Sequence, residues 1–319
     1  MERKKKEYKD KNIIILLGPT STGKTSTALG LCRKFNGEII SADSRQVVKL
    51  MDIGTGKFPV GLNFDVRGGN GYWEINGVKV WAYDLVNPNE FFSGYDFADF
   101  ALKKAIEILD LGKNVFVVGG TGFYIDLFTG EAKPSGVLPD FELREELEKL
   151  SLENLQKKLK KINPKEFERI DNKNRVRLIR AIEKNCSLKV NKKKLPYLKN
   201  CKFVLIGLKA PRKILYERAD SWVESIWGGV TCEVKNLCNL GYKDSPKLHG
   251  LVYKTILKYI DKDIGEKDAL ERIKFDIHAY IRRQMTWFKR KKNVTWVDIS
   301  QDDYKEIIYN IVKEKLVNG

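Results

Sequence analysis

Residues 12–25 read Asn-Ile-Ile-Ile-Leu-Leu-Gly-Pro-Thr-Ser-Thr-Gly-Lys-Thr, an apolar run passing into a glycine-bounded turn. Its apolar half, Asn12–Leu17, is a short run bounded by turn signals, the pattern of a buried strand. Gly18–Thr25 then fits G-x-x-x-x-G-K-[ST], and Lys24–Phe35 reads as a helix. In a strand–loop–helix setting, glycines let backbone N–H groups approach phosphate oxygens, and the helix N-terminus adds partial positive charge. Gly18, Pro19, Thr20, Ser21, Thr22, Gly23, Lys24 and Thr25 are therefore a candidate di- or triphosphate site. Lys24 supplies a point charge, and the Thr25 hydroxyl is the candidate ligand for Mg2+. The motif specifies a phosphate site and leaves the reaction open.

Outward from this stretch the same alternation repeats. Glu38–Ser41 reads as a strand, Tyr95–Leu111 as an amphipathic helix closed by Gly112, and Asn114–Val118 as an apolar strand running into Gly119-Gly120-Thr121-Gly122. Within the Gly- and aromatic-rich Val60–Val80 region, alternating residues flank Asn76-Gly77, a strong hairpin signal. The alternation predicts an α/β fold, a P-loop NTPase-like parallel sheet flanked by helices. From Asp140 to about Lys184 the pattern is helical, with breaks near Ser151 and Asn163-Pro164; Leu188–Asn200 is a lysine-rich loop, and Cys201–Leu208 returns as a strand. The expected organisation is a first part of the core at 1–136, an inserted all-helical domain at 137–200, and a second part of the core at 201–319. The last part carries helices at Pro211–Trp227, Thr231–Leu240, Glu266–Lys289 and Asp302–Leu316, with a strand at Val294–Val297.

Charge is distributed unevenly. The 319 residues carry a net +17. Residues 1–130 hold 17 basic against 15 acidic residues, whereas Lys157–Lys202 alone holds 17 against four. A second basic cluster is Arg282, Arg283, Lys289, Arg290, Lys291 and Lys292. A one-sided field of this kind attracts polyanions, above all nucleic acid; solvated helix faces are the plainer reading. Five scattered cysteines, with no C-x-x-C pair, fit a reducing cytoplasm and argue against a zinc cage. Two histidines leave little room for histidine-based triads or metal sites. The apolar run Ile13–Leu17 is too short to span a bilayer or to serve as a targeting segment, so no membrane association is expected.

A P-loop NTPase also needs an acid at the end of an apolar strand, to hold its Mg2+ shell. Val115–Val118 ends instead in Gly119-Gly120. The acid at a strand end is Asp43, in Ile39-Ile40-Ser41-Ala42-Asp43-Ser44, where side chains point into the ligand crevice of a parallel sheet. Asp43 is thus a candidate base beside the phosphate site, or else a cap for the segment that starts at Ser44.

Its neighbours favour the first reading. Ser41-Ala42-Asp43-Ser44-Arg45-Gln46-Val47, Met51-Asp52-Ile53-Gly54-Thr55-Gly56-Lys57, Gly119-Gly120-Thr121-Gly122-Phe123-Tyr124 and Arg283-Gln284-Met285-Thr286-Trp287-Phe288 together resemble one family, the tRNA dimethylallyltransferases. The Gly-Pro-Thr-x-x-Gly-Lys-Thr form, Asn174–Glu183 and Leu240-Gly241-Tyr242-Lys243 extend the resemblance from about residue 12 to 298. The resemblance implies transfer of a dimethylallyl group from dimethylallyl diphosphate to the exocyclic N6 amine of the adenosine just 3′ of the anticodon. It implies Asp43 as base, with Thr20, Lys24 and Arg218 on the diphosphate, Thr25 on Mg2+, and the tRNA anticodon stem-loop as partner. Its tRNA-contacting stretches fall on Asp43, Ser44, Arg45, Gln46, Val176, Arg177, Leu178, Ile179, Arg180, Arg283 and Gln284. Trp287 and Phe288 read equally well as core.

This sequence departs from the family pattern in a longer Val60–Val80 segment, in Trp222 at the place of a second basic residue, in an expanded Asp244–Val252, and in Ile277-His278 for a Thr-Arg pair. Two rival readings are a small-molecule or nucleotide kinase with Asp43 as base, and an NTP-gated RNA-binding protein. The missing strand-end acid opposes NTP hydrolysis, and the basic insert opposes a small substrate alone. The chain is expected to act as a cytoplasmic monomer.

Overall fold

The computed structural model describes residues 8, 11–58, 65–187, 195–198 and 200–317. Parts of the expected Val60–Val80 region and of the Leu188–Asn200 loop lie outside the described residues. The chain divides into two compact units, Lys133–Leu195 and the remainder.

The larger unit begins with β1 (Asn12–Leu17), α1 (Lys24–Lys34) and β2 (Gly37–Ser41). The segments β3 (Val66–Gly69), β4 (Tyr72–Ile75) and β5 (Val78–Trp81) form an antiparallel meander, with the expected hairpin at Asn76-Gly77 and one strand more than the sequence suggested. Then follow α2 (Gly94–Asp110), β6 (Asn114–Gly119) and α3 (Gly122–Thr129). In α2, Ser93 and Asp96 satisfy each other's backbone amides in a capping box.

The sheet runs β3-β4-β5-β2-β6-β1, continued by β7 (Lys202–Lys209) and β8 (Val294–Asp298), and is parallel from β5 onward. Every residue of β1 is buried, as expected of a central parallel strand covered on both faces. Leu17 pairs with Gly119 and Ser41 with Val118, so β1, β2 and β6 end level with one another. Their following loops, 18–23, 42–47 and 120–121, gather on one edge of the sheet.

The smaller unit contains α4 (Phe141–Glu148), α5 (Leu152–Ile162), α6 (Pro164–Arg169) and α7 (Arg175–Cys186). Asp140, Ser151, Asn163 and Asn174 each accept a first-turn amide, which explains the helix breaks read from the sequence. Its core is Leu147, Leu155, Leu159, Leu178, Ile179, Ala181 and Ile182.

In the larger unit, α8 (Arg212–Asn239), α9 (Leu251–Ile260), α10 (Glu266–Phe288) and α11 (Tyr304–Val317) follow, with α10 packed on α8, α9 and α3. The structure corrects the expected break after Trp227. The helix α8 runs 28 residues, straight through Gly228-Gly229. A Cβ on Gly229 would meet Ile53 at 3.1 Å, so close packing of the 53–54 loop, rather than a turn, uses the small residue. The helix α9 was not anticipated.

Candidate active site

A cavity of about 810 Å3 lies in the larger unit at the level ends of β1, β2 and β6. Thr20, Ser21, Gly23, Lys24 and Thr25 line one side, and Asp43, Arg45 and Gln46 come from the loop after β2. Arg218 and Trp222 on α8, with Ile277, Tyr280 and Gln284 on α10, face the same space. The phosphate loop and the candidate base, 19 positions apart between Lys24 and Asp43, thus share one cavity.

The loop is formed by the residues its motif specifies. Gly23 precedes α1 with φ 74°, a left-handed conformation that favours glycine. The Thr22 hydroxyl donates to the Pro19 carbonyl at 2.8 Å, and Lys24 Nζ donates to the same carbonyl at 2.7 Å. Burial lowers the Lys24 ammonium to about 8, against the opposing pull of Asp43.

Asp43 caps the turn that follows it and also lines the cavity. Its Oδ1 accepts the Arg45 amide at 2.8 Å, a local cap, while the carboxylate faces the cavity. Burial raises its pKa above the ordinary value, and the amides of Arg45 and Gln46 and the cations Lys24 and Arg45 oppose that rise. A carboxylate so placed holds a proton more readily than a solvated one, which suits a base.

The missing strand-end acid has a steric cause. A Cβ at Gly119 would lie 2.2 Å from the Ala42 carbonyl oxygen, and one at Gly120 2.2 Å from Gln284 Nε2. At Gly119 a larger residue would have to displace backbone, and at Gly120 it would have to displace the Gln284 side chain. The neighbouring Thr121 Oγ1 accepts the Ser44 amide at 3.1 Å, and burial keeps the nearby Tyr280 hydroxyl protonated.

A rigid wall closes another side, lined by Gly54, Thr55 and Gly56. The Glu233 carboxylate accepts the amides of Asp52, Ile53 and Gly54 at 2.7, 2.7 and 3.2 Å, and the Tyr253 hydroxyl at 2.7 Å. Fully buried Lys57 donates to the Val48 carbonyl, Asp52 and Asp84. The Gln46 side chain donates to the Thr55 and Gly56 carbonyls and accepts from the Ser41 hydroxyl. Its amide is therefore spent on bracing this wall. Arg45 donates to the Lys247 carbonyl at 2.8 Å and lies against Gly250.

On the smaller unit, Val176 is exposed and Arg177 is exposed beside Asp171. Arg180 donates to Glu183, Ser135 and the Val137 carbonyl. Leu178 and Ile179 fill the helical core, so the RNA contact expected of those two side chains is corrected to a packing role. Of the α10 stretch, Arg283 is exposed, Gln284 and Phe288 are buried, and Trp287 donates to Asp126 at 2.9 Å. Sequence reading missed Phe58, Ser221, Ser225, Leu251, Val252, Tyr253 and Tyr280 as lining residues. The available signal was spacing: 218, 221, 222 and 225, and 277, 280 and 284, each share one helix face.

Over residues 46–291 the chain matches the family described as IPP transferase. The chain belongs to the IPP transferase family. Relatives cover it nearly end to end. The tRNA dimethylallyltransferase of Acetivibrio thermocellus is 38% identical over 315 residues, 95% of this chain and 96% of that protein. Two solved structures share the fold. The full-length tRNA isopentenylpyrophosphate transferase from Bacillus halodurans superposes with a TM-score of 0.69 at 33% identity, covering 97% of this chain and 98% of that one. For tRNA delta(2)-isopentenylpyrophosphate transferase from Staphylococcus epidermidis the values are 0.66 and 30%, over 95% and 98%. In this IPP transferase, Trp222 and Ile277 add apolar surface to a cavity whose other side is the phosphate loop.

Proposed function

We propose that this IPP transferase moves a dimethylallyl group from dimethylallyl diphosphate to N6 of the adenosine 3′-adjacent to the anticodon in tRNA. The products are N6-isopentenyladenosine and diphosphate. The observation that carries this reading is a phosphate loop and a buried carboxylate lining one cavity, whose remaining surface includes Phe58, Trp222, Leu251 and Ile277. Such a cavity suits a reactant with a charged end and an apolar end. The names of the relatives support a five-carbon prenyl group and tRNA as its acceptor.

The chemistry follows from the residues. An exocyclic amine is a weak nucleophile, because its lone pair is delocalised into the base. The Asp43 carboxylate accepts a hydrogen bond from N6 and takes its proton as the N6–C1 bond forms. The allylic C1–O bond breaks, and its electron pair leaves with the diphosphate. The phosphate-loop amides, Lys24 and Arg218 stabilise the charge that develops there. The adenosine must leave its stack to reach Asp43, which an unpaired loop of RNA permits at least cost.

Mg2+ is proposed to arrive with the donor. The Thr25 hydroxyl offers one oxygen at the cavity wall, and Mg2+ commonly takes its other ligands from phosphate oxygens and water. Among the described residues no cluster of three or more His, Cys, Asp or Glu forms a metal cage, and that donor set fits an ion carried by the diphosphate. When bound, the ion would neutralise leaving-group charge. The five scattered cysteines of the sequence suit a reducing cytoplasm, which is the compartment proposed here.

The test is to incubate the protein with unmodified tRNA, dimethylallyl diphosphate and Mg2+, digest the RNA to nucleosides and weigh them. An adenosine enlarged by one five-carbon unit, with diphosphate released, is the expected result. Phosphoryl transfer from ATP with no modified nucleoside would replace this reading with the kinase one.

A further inference from the structure

Gln284 is 6% exposed, although the residue before it is open to solvent. Its side chain makes two bonds, both to the loops at the sheet edge. Oε1 accepts the Thr20 amide at 2.9 Å, and Nε2 donates to the Gly120 carbonyl at 3.1 Å. One amide on α10 thus ties the phosphate loop after β1 to the turn after β6. The same helix also reaches the base. Tyr280, one turn earlier, lines the same cavity as Asp43. One turn later Trp287 covers Gly122 and donates to Asp126. Arg283, Lys289, Arg290 and Lys292 meanwhile stand exposed along the end of this helix and just past it. An array of cations there attracts a polyanion.

These contacts give α10 two faces, one against both reacting loops and one offered to RNA phosphates. We infer that Gln284 is a positioning residue that couples tRNA binding to the diphosphate loop, rather than a residue that touches tRNA. Phosphates seated on the Arg283 side fix α10, and Gln284 carries that constraint to Thr20 and Gly120. The loop then holds the shape that binds diphosphate. By linkage the effect is reciprocal, with diphosphate tightening tRNA to the same degree. The inference rests on the prenyl-transfer reading, since it takes tRNA and a diphosphate as the two ligands.

The experiment measures inorganic diphosphate binding, with Mg2+, by calorimetry in the absence and presence of saturating unmodified tRNA. It compares the full-length wild type with Gln284→Met, which keeps length and loses both hydrogen bonds. In the wild type, tRNA should tighten diphosphate by about fivefold or more, within the usual range of coupling between sites. In Gln284→Met the ratio should fall to near one, and the KM for dimethylallyl diphosphate should rise about tenfold, the effect of losing roughly 1.4 kcal/mol of binding. The affinity for tRNA alone should stay within twofold. A purely structural brace would lower Tm and leave the ratio intact, which would overturn the inference. Weaker tRNA binding with diphosphate binding unchanged would do so too, and would return Gln284 to RNA contact. So would a wild-type ratio of one. Should Gln284→Met fail to fold, Gln284→Glu serves instead. It keeps the acceptor for Thr20, loses the donor to Gly120 and adds like charge, so it should weaken diphosphate more than tenfold with tRNA affinity retained; unchanged diphosphate binding would overturn the inference. These binding measurements involve no turnover, so they stand apart from the nucleoside assay that tests prenyl transfer.

Discussion

Lys24 and Asp43 carry opposite charges on one cavity wall, and burial works against both. It lowers the lysine to about 8 and raises the aspartate above its ordinary value of 3.8. A base must be ionised, which Asp43 is only above its raised pKa. Lys24 attracts diphosphate only while protonated, which holds below about 8. The pH profile of kcat/KM for dimethylallyl diphosphate should therefore be bell-shaped, because it reports groups of the enzyme before the donor binds. Its acid limb should lie above pH 3.8 and its alkaline limb near pH 8. A profile flat through pH 8 would contradict the place given to Lys24. At this scale the phosphate loop was fully legible, because eight consecutive residues carry its geometry. Asp43 was legible as a strand-end acid. The bond from Gln284 to Thr20 was not, since it joins residues 264 apart and depends on how α10 lies over the sheet edge.

Elements place these residues by ending together. The strands β2 and β6 approach so closely at their ends that Gly119 has the Ala42 backbone where a Cβ would go. Gly119→Ala must push the two strands apart, and overpacking of this kind typically costs about 1–3 kcal/mol. Asp43 is next to Ala42, so the same displacement moves the base. We expect a lower Tm and a lower kcat together in this variant, measured by thermal unfolding and steady-state kinetics. Wild-type values of both would show that the strand ends tolerate separation. The parallel strands were legible from apolar runs bounded by turn signals. The continuity of α8 was not. A helical glycine costs roughly 1 kcal/mol relative to alanine, and two in a row read as a break. Packing of Ile53 against Gly229 overrides that local preference. The helix α9 escaped notice for a related reason. It starts at Leu251 with φ 46°, behind a glycine that offers no side-chain cap.

Across the molecule, charge is unevenly divided. The candidate site is lined by the larger unit, while the densest basic run begins in α5 of the smaller one. Lys157, Lys158, Lys160 and Lys161 are exposed on α5. Replacing all four by Gln should reduce the slope of log K against log salt for tRNA by up to about 0.7–0.9 for each lysine that meets a phosphate. Diphosphate affinity in the absence of tRNA should not change. An unaltered slope would make this face merely solvated. The helical unit was legible because composition shifts abruptly where it begins, and its caps stand at polar residues before apolar periods. Which of its residues face outward was less so, and Leu178 and Ile179 proved to be core.

The proposed reaction turns on Asp43 taking the N6 proton while the phosphate loop holds the leaving group. The most direct test is rapid-quench single-turnover prenylation by wild type and Asp43→Ala, at saturating tRNA and dimethylallyl diphosphate, with tRNA affinity measured in parallel. The expected result is a rate lower by about 10²–10⁴-fold in Asp43→Ala, the usual weight of general-base catalysis, with tRNA binding nearly unchanged. An undiminished single-turnover rate would contradict it and leave Asp43 as no more than the cap on Arg45.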